Sequence, residues 1–251
     1  MKSVLVTGGA KRVGAAIARR LARDGWKVVI HHRQSQEAAE ALAKSIGGLT
    51  LGADLTDAAA AEALPARAAA LLGAPLTAVV NNASVFEYNT AKSFTTSEFD
   101  RDMAVNLRAP VLIARAFAKT AAPGADAAVV NFIDQKVWNL NADFFSYTIS
   151  KLALEGATRL LARALAPSVR VNGVAPGLTL PNQWQSDDEF AAVAAKHNIL
   201  KRPIAIDSLA GAVAFLLDNN AITGQTIIAD NGEHLVPTER DIGYAPEEAP
   251  Q

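Results

Sequence analysis

The chain has 251 residues, half of them hydrophobic, with a net charge of −1 and no cysteine. This composition suits one α/β domain, shows no charge excess for nucleic acid or a membrane surface, and excludes disulfides and thiol chemistry. The start of the chain does not resemble a signal peptide, and no apolar run reaches the ~18 residues of a membrane span. We therefore expect a cytoplasmic protein that binds neither nucleic acid nor membrane.

Short apolar runs alternate along the chain with longer, alanine-rich stretches of helical periodicity. The predicted strands cover residues 3–6, 27–30, 50–53, 77–80, 127–133, 169–174 and 226–229. The predicted helices cover residues 14–24, 35–46, 58–72, 97–121, 146–166 and 208–218, with Pro65 marking a break or kink and Pro110 a bend. This alternation predicts an α/β fold: one doubly wound parallel sheet of about seven strands with helices on both faces.

We assign residues 1–236 to this single domain and residues 237–251 to a C-terminal tail. The tail is rich in Pro, Glu and Ala and contains no apolar run. Two interpretations stay open for it, a mobile end or an arm that packs on a neighbouring subunit.

The first predicted β-α connection is rich in glycine and carries two cations. Residues 7–14 read TGGAKRVG, and glycines there permit a tight turn against a pyrophosphate at a helix N-terminus. Residues 31–35, HHRQS, end the second strand without the acidic residue that NAD-preferring chains usually carry. Arg33, with Arg12 or Lys11, would pair with a 2′-phosphate, which favours NADP(H). The alternatives are an ordinary turn and solvated loop cations.

Two further connections lie at the same edge of the predicted sheet, where ligands bind beyond the carboxyl ends of the strands. Asp54 and Leu55 follow the third strand and would reach an adenine. Residues 81–84, NNAS, follow the fourth strand, where small polar side chains can line a cofactor. A structural turn is the alternative for both segments.

A tyrosine and a lysine stand four residues apart in the predicted helix 146–166, with Asp134 thirteen residues before the tyrosine. Tyr147 and Lys151 therefore share one helix face, about 6 Å apart along the axis. A nearby ammonium favours the phenolate, so we expect Lys151 to lower the pKa of Tyr147 from about 10. A tyrosine tuned in this way acts as a general acid or base. The alternative is that a long helix carries such a pair by chance.

The motifs TGxxxxxG, DL, NNAS, Asn106, YxxxK and PG occur in the order found in short-chain dehydrogenases/reductases. Residues 1 to about 235 resemble that family. The resemblance implies a Rossmann-type fold, a nicotinamide cofactor and a tetrad of Asn106, a serine, Tyr147 and Lys151. Two positions depart from the pattern, since Arg12 replaces the middle glycine of the loop and Asp134 replaces the serine.

Both departures resemble the pteridine reductases, including the dihydromonapterin and dihydrofolate reductases, which also share NNASxF and PGL segments with this chain. By this resemblance Phe86 would stack on a pterin and sandwich it against the nicotinamide, although an aromatic plug at the core edge is the alternative. The cofactor, NADPH, is expected to contact Gly8, Lys11, Arg12, Val13, Gly14, His32, Arg33, Ser35, Asp54, Leu55, Asn82, Ala83, Ser84, Tyr147, Lys151, Pro176 and Gly177.

Residues 178–202 follow the sixth predicted strand, where similar proteins carry the substrate loop. Leu180 and Trp184 would cover the substrate, and Trp138 and Phe145 would line the opposite wall. All four side chains could equally be core or subunit contacts. The substrate is expected to contact Ser84, Phe86, Asp134, Tyr147, Leu178 and Trp184.

Asp134 changes the expected chemistry. A ketone reductase needs a neutral donor at the carbonyl oxygen, whereas an ionised aspartate only accepts hydrogen bonds and would oppose an oxyanion. A C=N substrate reverses this requirement, because protonation of its nitrogen activates the carbon and a carboxylate stabilises the cation. Four catalytic residues are therefore predicted. Tyr147 or Asp134 supplies the proton, Lys151 holds the nicotinamide ribose and tunes Tyr147, and Asn106 anchors a water near Lys151.

These residues predict an NADPH-dependent reductase that transfers hydride to a C=N bond of a pterin, converting a dihydropterin or dihydrofolate to the tetrahydro form. The alternatives are a general carbonyl reductase for ketones or quinones and a non-catalytic NADP-binding protein. The resemblance also implies a homotetramer built partly on the YxxxK helix, although core packing explains the leucines of residues 152–166 equally well. No metal site is predicted, and His197 is expected on a helix surface.

Overall fold

The structure is a computed structural model that describes residues 2–121, 126–181 and 186–241. These residues form one seven-stranded parallel sheet in the order β3-β2-β1-β4-β5-β6-β7. The chain winds outward from β1 to β3 and then restarts on the other side of β1, so a crevice opens between β1 and β4. The predicted fold class is confirmed. The strands are β1 (Ser3–Val6), β2 (Lys27–His32), β3 (Leu49–Gly52), β4 (Ala78–Asn81), β5 (Ala127–Phe132), β6 (Val169–Pro176) and β7 (Thr226–Ala229).

Helices cover both faces of this sheet. None of the helices in the described residues is long and apolar enough to cross a membrane. The α-helices are α1 (Arg12–Arg23), α2 (Gln36–Ile46), α3 (Ala58–Leu72), α4 (Thr96–Asp102), α5 (Ala109–Thr120), α6 (Phe145–Leu165), α7 (Asp187–His197) and α8 (Ile206–Asp218).

Each central strand contributes side chains to two hydrophobic cores, one on each face of the sheet, because successive side chains of a strand point to opposite faces. In β1, Val4 and Val6 pack with side chains of α1, α2 and α8. Leu5, between them, packs on the other face with side chains of α3, α5 and α6. All three are fully buried, and burial of each such side chain stabilises the fold by about 1.5–3 kcal/mol.

The predicted helix 97–121 consists of three helical elements in the structure. A capping box between Thr95 and Glu98 starts α4, a π-helical turn covers Met103–Arg108, and α5 follows. The predicted single helix is therefore interrupted at the π-helical turn, and Pro110 lies in the first turn of α5. Proline has no amide to donate to the carbonyl four residues earlier, and a π turn accommodates that loss. By contrast, α3 continues through Pro65, so the predicted break is absent.

Part of the predicted substrate loop 178–202 is helical. A capping box between Ser186 and Glu189 starts α7, which buries Phe190 and Ala194. His197 ends α7 half-buried. The segment is therefore not a loop along its whole length, and His197 lies on a helix as predicted. Because the strands are parallel, the carboxyl ends of β1, β2, β4, β5 and β6 lie at the same edge of the sheet. Helix α7 follows β6 in the chain.

Candidate active site

A cavity of about 420 Å³ lies at the crevice beyond β1 and β4. Most of the predicted cofactor contacts line it. The predicted contacts that do not are His32, Ser35, Tyr147, Lys151, Pro176 and Gly177. His31 stands in the wall in place of His32, because neighbouring residues of a strand face opposite sides. The residues in the wall are Gly8, Lys11, Arg12, Val13, Gly14, His31, Arg33, Asp54, Leu55, Asn82, Ala83, Ser84, Val85 and Val105.

The glycine-rich connection packs so tightly that larger residues would not fit. Gly8 has φ +60°, and a Cβ on it would lie 2.9 Å from Ala83 Cα. A Cβ on Gly14 would lie 2.3 Å from the Gly8 carbonyl oxygen. Arg12, which replaces the usual glycine, also has a positive φ of 52°, and its guanidinium donates to the Pro181 carbonyl at 3.2 Å. The left-handed backbone explains why similar proteins carry glycine there.

This cavity has the chemistry of a site for a phosphorylated nucleotide. Helix α1 begins at its floor without a side-chain cap and without an acidic residue in its first turn. Its free N-terminal amides and positive dipole end therefore favour an anion. Lys11 and Arg33 are exposed cations in the wall. These residues fit the pyrophosphate and the 2′-phosphate of a dinucleotide.

His31 forms a hydrogen bond with the glycine-rich connection. Its Nδ1 accepts the Gly8 amide at 3.2 Å, and its Nε2 donates to the Ala53 carbonyl at 3.1 Å. Burial lowers the pKa of His31 to about 4, so the imidazole is neutral with its proton on Nε2. No role was predicted for this histidine, because a pair of adjacent histidines does not indicate which one faces the loop.

Asp134 and Tyr147 form a short hydrogen bond beyond the end of β5. The Tyr147 hydroxyl donates to Asp134 Oδ2 at 2.6 Å, while the Lys136 amide donates to Oδ1 at 2.8 Å. Burial raises the pKa of Asp134, although the Tyr147 hydrogen bond opposes this shift. Burial and the Asp134 carboxylate raise the pKa of Tyr147 well above 10. Burial thus disfavours the charged form of each of the two groups.

Lys151 lies one turn further along α6. Its ammonium donates to the Phe132 carbonyl at 2.8 Å and lies 5.5 Å from the centre of the Tyr147 ring. Burial lowers the pKa of Lys151 to about 8, and Asp134 opposes that shift. The expectation that Lys151 lowers the pKa of Tyr147 is wrong in this arrangement, because burial and the neighbouring carboxylate dominate.

Asn106 is fully buried in the π-helical turn, and its amide joins three segments. Its Oδ1 accepts from the Ser84 hydroxyl at 3.0 Å and the Val85 amide at 2.9 Å. Its Nδ2 donates to the Val85 carbonyl and to Ser150 Oγ, both at 3.0 Å. The polar atoms of this side chain thus bond to the protein, and the expected water near Lys151 stays a prediction.

A second cavity of about 340 Å³ adjoins the first and shares Arg12, Val13 and Ser84 with it. Asp134 and Tyr147 line this second cavity together with the expected substrate contacts that lie in described residues. Trp184 lies outside the described residues. The remaining wall residues are Phe86, Gln135, Lys136, Asn141, Gly177, Leu178, Thr179, Leu180, Glu233, Thr238 and Asp241.

An aromatic stack borders the second cavity. The Phe86 ring stacks on Phe144 at 3.9 Å and meets the Tyr147 ring edge-on at 4.7 Å. Phe86 remains 53% exposed, which leaves ring surface for a ligand. Phe145 instead stacks on Phe94, so Phe144, at the N-terminus of α6, takes the place expected for it. Trp138 is not in the wall either.

Glu233 is a buried carboxyl in this wall that sequence reasoning missed. It accepts the Leu178 amide at 2.7 Å and the Gln135 side-chain amide at 3.0 Å. Burial raises the pKa of Glu233 to about 8. No local sequence pattern marks it, because its partners are nearly 100 and 55 residues away. Among the described residues, no group of three or more His, Cys, Asp or Glu side chains could hold a metal ion.

Comparisons with known proteins identify relatives over nearly the whole chain. A family model described as enoyl-(acyl carrier protein) reductase matches residues 8–234. The crystal structure of FolM alternative dihydrofolate reductase 1 from Brucella canis, complexed with NADP, is 39% identical with a TM-score of 0.89, covering 99% of this chain and 97% of that chain. The corresponding Brucella suis structure, also with NADP, is 41% identical with a TM-score of 0.86, covering 93% and 95%.

A curated relative also aligns with nearly the whole chain. Dihydromonapterin reductase from Citrobacter koseri is 29% identical over 238 residues, which cover 92% of this chain and 96% of that protein. The match to the family model extends from the glycine-rich connection to the segment after β7. Every wall residue of the two cavities except Thr238 and Asp241 therefore lies within this matched region.

Proposed function

The chain belongs to the short-chain dehydrogenase/reductase family, and we propose that within this family it reduces a C=N bond of a pterin. It is an NADPH-dependent oxidoreductase, as the FolM structures with bound NADP and the dihydromonapterin reductase relative support. The identity of its substrate is the part that we infer from the site.

NADPH supplies the hydride when it is bound. The first cavity fits this cofactor, because its tight glycine connection admits close approach of a pyrophosphate to the α1 amides. Lys11 and Arg33 would hold the 2′-phosphate, and Lys151 would hold the nicotinamide ribose. The hydrogen bond from Lys151 to the Phe132 carbonyl, at the end of β5, fixes the position of that ammonium.

The observation that carries the proposal is the hydrogen bond from Tyr147 to Asp134. Burial raises the pKa of Asp134, so its carboxyl group carries a proton more readily than an exposed aspartate does. Transfer of that proton to a C=N nitrogen makes the neighbouring carbon more electrophilic, and the resulting carboxylate stabilises the cation. The same carboxylate would oppose the negative charge that forms on a ketone oxygen. Asp134 therefore favours an imine over a ketone.

The shape of the second cavity is consistent with a flat heterocycle. The exposed ring surface of Phe86 offers a stacking partner for such a ring, and Phe144 supports Phe86 from behind. Leu178 and Leu180 provide apolar wall, while Ser84 provides a hydroxyl. Most of the other wall residues are polar or charged, including Asp134, Gln135 and Glu233, and such side chains can hydrogen-bond to the nitrogen and oxygen atoms of a heterocycle.

We also propose that the protein works in the cytoplasm as a homotetramer. Leu152 and Leu160 are 38% and 70% exposed on α6, so they are free to pack against another copy. Leu154 is buried in the core instead. A native mass of one chain in light scattering would refute the tetramer.

The proposal is tested by following NADPH oxidation with dihydromonapterin, dihydrobiopterin and dihydrofolate, beside a panel of ketones and quinones. We expect turnover of at least one dihydropterin, with a loss of about 10²–10⁴-fold in Asp134→Ala, which removes the proton donor. Turnover of ketones without turnover of any dihydropterin would instead support a general carbonyl reductase. Cofactor binding without any turnover would support a non-catalytic protein.

A further inference from the structure

Two buried charged side chains near the second cavity have ion-pair partners on the C-terminal segment. The Asp143 side chain is 2% exposed and accepts from Arg240 Nε at 2.8 Å. The Lys136 side chain is 4% exposed and donates to Asp241 Oδ2 at 2.7 Å. A buried anion and a buried cation are thus both compensated by two consecutive residues of the segment that follows the sheet.

Further hydrogen bonds hold the same segment in place. Asp143 Oδ2 also accepts the Asp241 amide at 2.8 Å, and Oδ1 accepts the Tyr88 hydroxyl at 3.2 Å. Arg240 Nη2 donates to the Tyr88 oxygen at 3.2 Å. Upstream, the Asn139 side-chain amide donates to the Val236 carbonyl at 2.9 Å. The segment is therefore fastened at both ends.

This segment is connected to the reacting groups. Thr238 and Asp241 line the second cavity together with Asp134 and Tyr147. The main-chain amide of Lys136, whose side chain binds Asp241, donates to Asp134 Oδ1 at 2.8 Å. Lys136 thus joins the C-terminal segment to the carboxyl group on which the proposed reaction depends.

We propose that residues 238–241 form a latch that closes the substrate pocket, and that Asp241 is a positioning residue which holds Lys136 and thereby Asp134. This inference rests on the proposed function, because the pocket that the latch closes is the one assigned to the pterin. Among the described residues, the wall of the cofactor cavity contains none from the latch. The latch therefore acts on substrate binding and leaves NADPH binding unchanged.

The two ion pairs explain why the latch stays closed. An exposed ion pair contributes little, whereas loss of one member of a buried pair leaves an uncompensated charge. Asp241 also contributes to raising the pKa of Asp134. The other charged or titratable groups that act on Asp134 are Tyr147, Lys151, Lys136 and Glu233. Removal of the Asp241 charge should therefore let Asp134 lose its proton at a lower pH.

The test compares Arg240→Gln and Asp241→Asn with the control Asp218→Asn. Asp218 forms a 2.7 Å ion pair with Lys2 in which both side chains are about half exposed. Loss of this pair should leave the exchange rates, the KM and the Kd unchanged. In both latch variants we expect faster hydrogen–deuterium exchange at the amides of residues 236–241. We also expect a KM for dihydropterin raised about 5- to 30-fold, with the Kd for NADPH changed less than about twofold.

Asp241→Asn should in addition shift the alkaline limb of the kcat/KM profile to lower pH. Unchanged exchange and unchanged KM in both variants would overturn the latch, and so would an equal loss of NADPH binding, which indicates general damage to the fold. If the wild-type protein reduces no dihydropterin, the proposed function fails. The exchange experiment then decides on the latch by itself, with wild-type exchange in both variants refuting it.

Discussion

At the scale of single residues, the chemistry depends on the protonation of two side chains, Tyr147 and Asp134. Sequence spacing predicted that Lys151 would lower the pKa of Tyr147 and so tune it as a general acid or base. In the folded protein, burial and the Asp134 carboxylate raise the pKa of Tyr147 instead, and burial lowers the pKa of Lys151 to about 8. The hydrogen bond between Tyr147 and Asp134 links two groups that can each pass on the proton that reduction of a C=N bond requires.

The raised pKa of Asp134 predicts the pH dependence of the reaction. Asp134 carries its proton below its pKa and loses it above, so kcat/KM for dihydropterin should fall as the pH rises through that raised value. Asp134→Asn keeps the side-chain shape but cannot titrate, so this limb should disappear and the rate should fall about 10²–10⁴-fold. Asp100→Asn, at an exposed position, serves as the control. The same limb in Asp134→Asn would assign the titration to another group.

At the scale of elements, the π-helical turn between α4 and α5 places Asn106 where it joins α6 to the connection after β4. Four hydrogen bonds reach this one buried amide, from or to Ser84, Val85 and Ser150. The Ser150 hydroxyl in turn donates to the Tyr147 carbonyl at 2.6 Å. The turn therefore aligns the cofactor side of the site with the helix that carries Tyr147.

Replacement of Asn106 should separate these elements. Asn106→Ala leaves the Val85 amide and carbonyl buried without their partner, and we expect the free energy of unfolding to fall by about 2–4 kcal/mol. Urea denaturation measures the change. Asn220→Ala, at an exposed position, should change stability by less than about 0.5 kcal/mol. An Asn106→Ala protein as stable as the wild type would show that the four bonds contribute no net stability.

Periodicity and motif order predicted much of this architecture, since the strand β1 and the helix α3 have the bounds expected from the apolar pattern. The π turn was missed because no propensity distinguishes it from an α-helix that meets a proline. Helix α7 was missed because its segment carries few apolar residues in a regular stripe. Within the site, motif residues such as Gly8 and Tyr147 could be predicted from local spacing. Contacts made across the fold could not, as for Glu233 and Phe144.

At the scale of the whole molecule, one edge of the sheet collects every group that the proposed reaction needs. The crevice between β1 and β4 holds the glycine connection, and the ends of β5 and β6 hold Asp134 and Leu178. The chain then returns after β7 to add Glu233 and the latch residues 238–241 to the same pocket. Parallel strand order thus brings together residues that are more than 200 positions apart in sequence.

The central claim is that Asp134 makes this reductase selective for C=N over C=O. The most direct measurement offers the protein a mixture of a dihydropterin and a ketone with NADPH, and compares the ratio of the two products for wild type and Asp134→Ser. We predict that the wild type forms tetrahydropterin almost alone, and that Asp134→Ser loses this product and gains alcohol, because a hydroxyl can donate to an oxyanion. An unchanged ratio in Asp134→Ser would contradict the account.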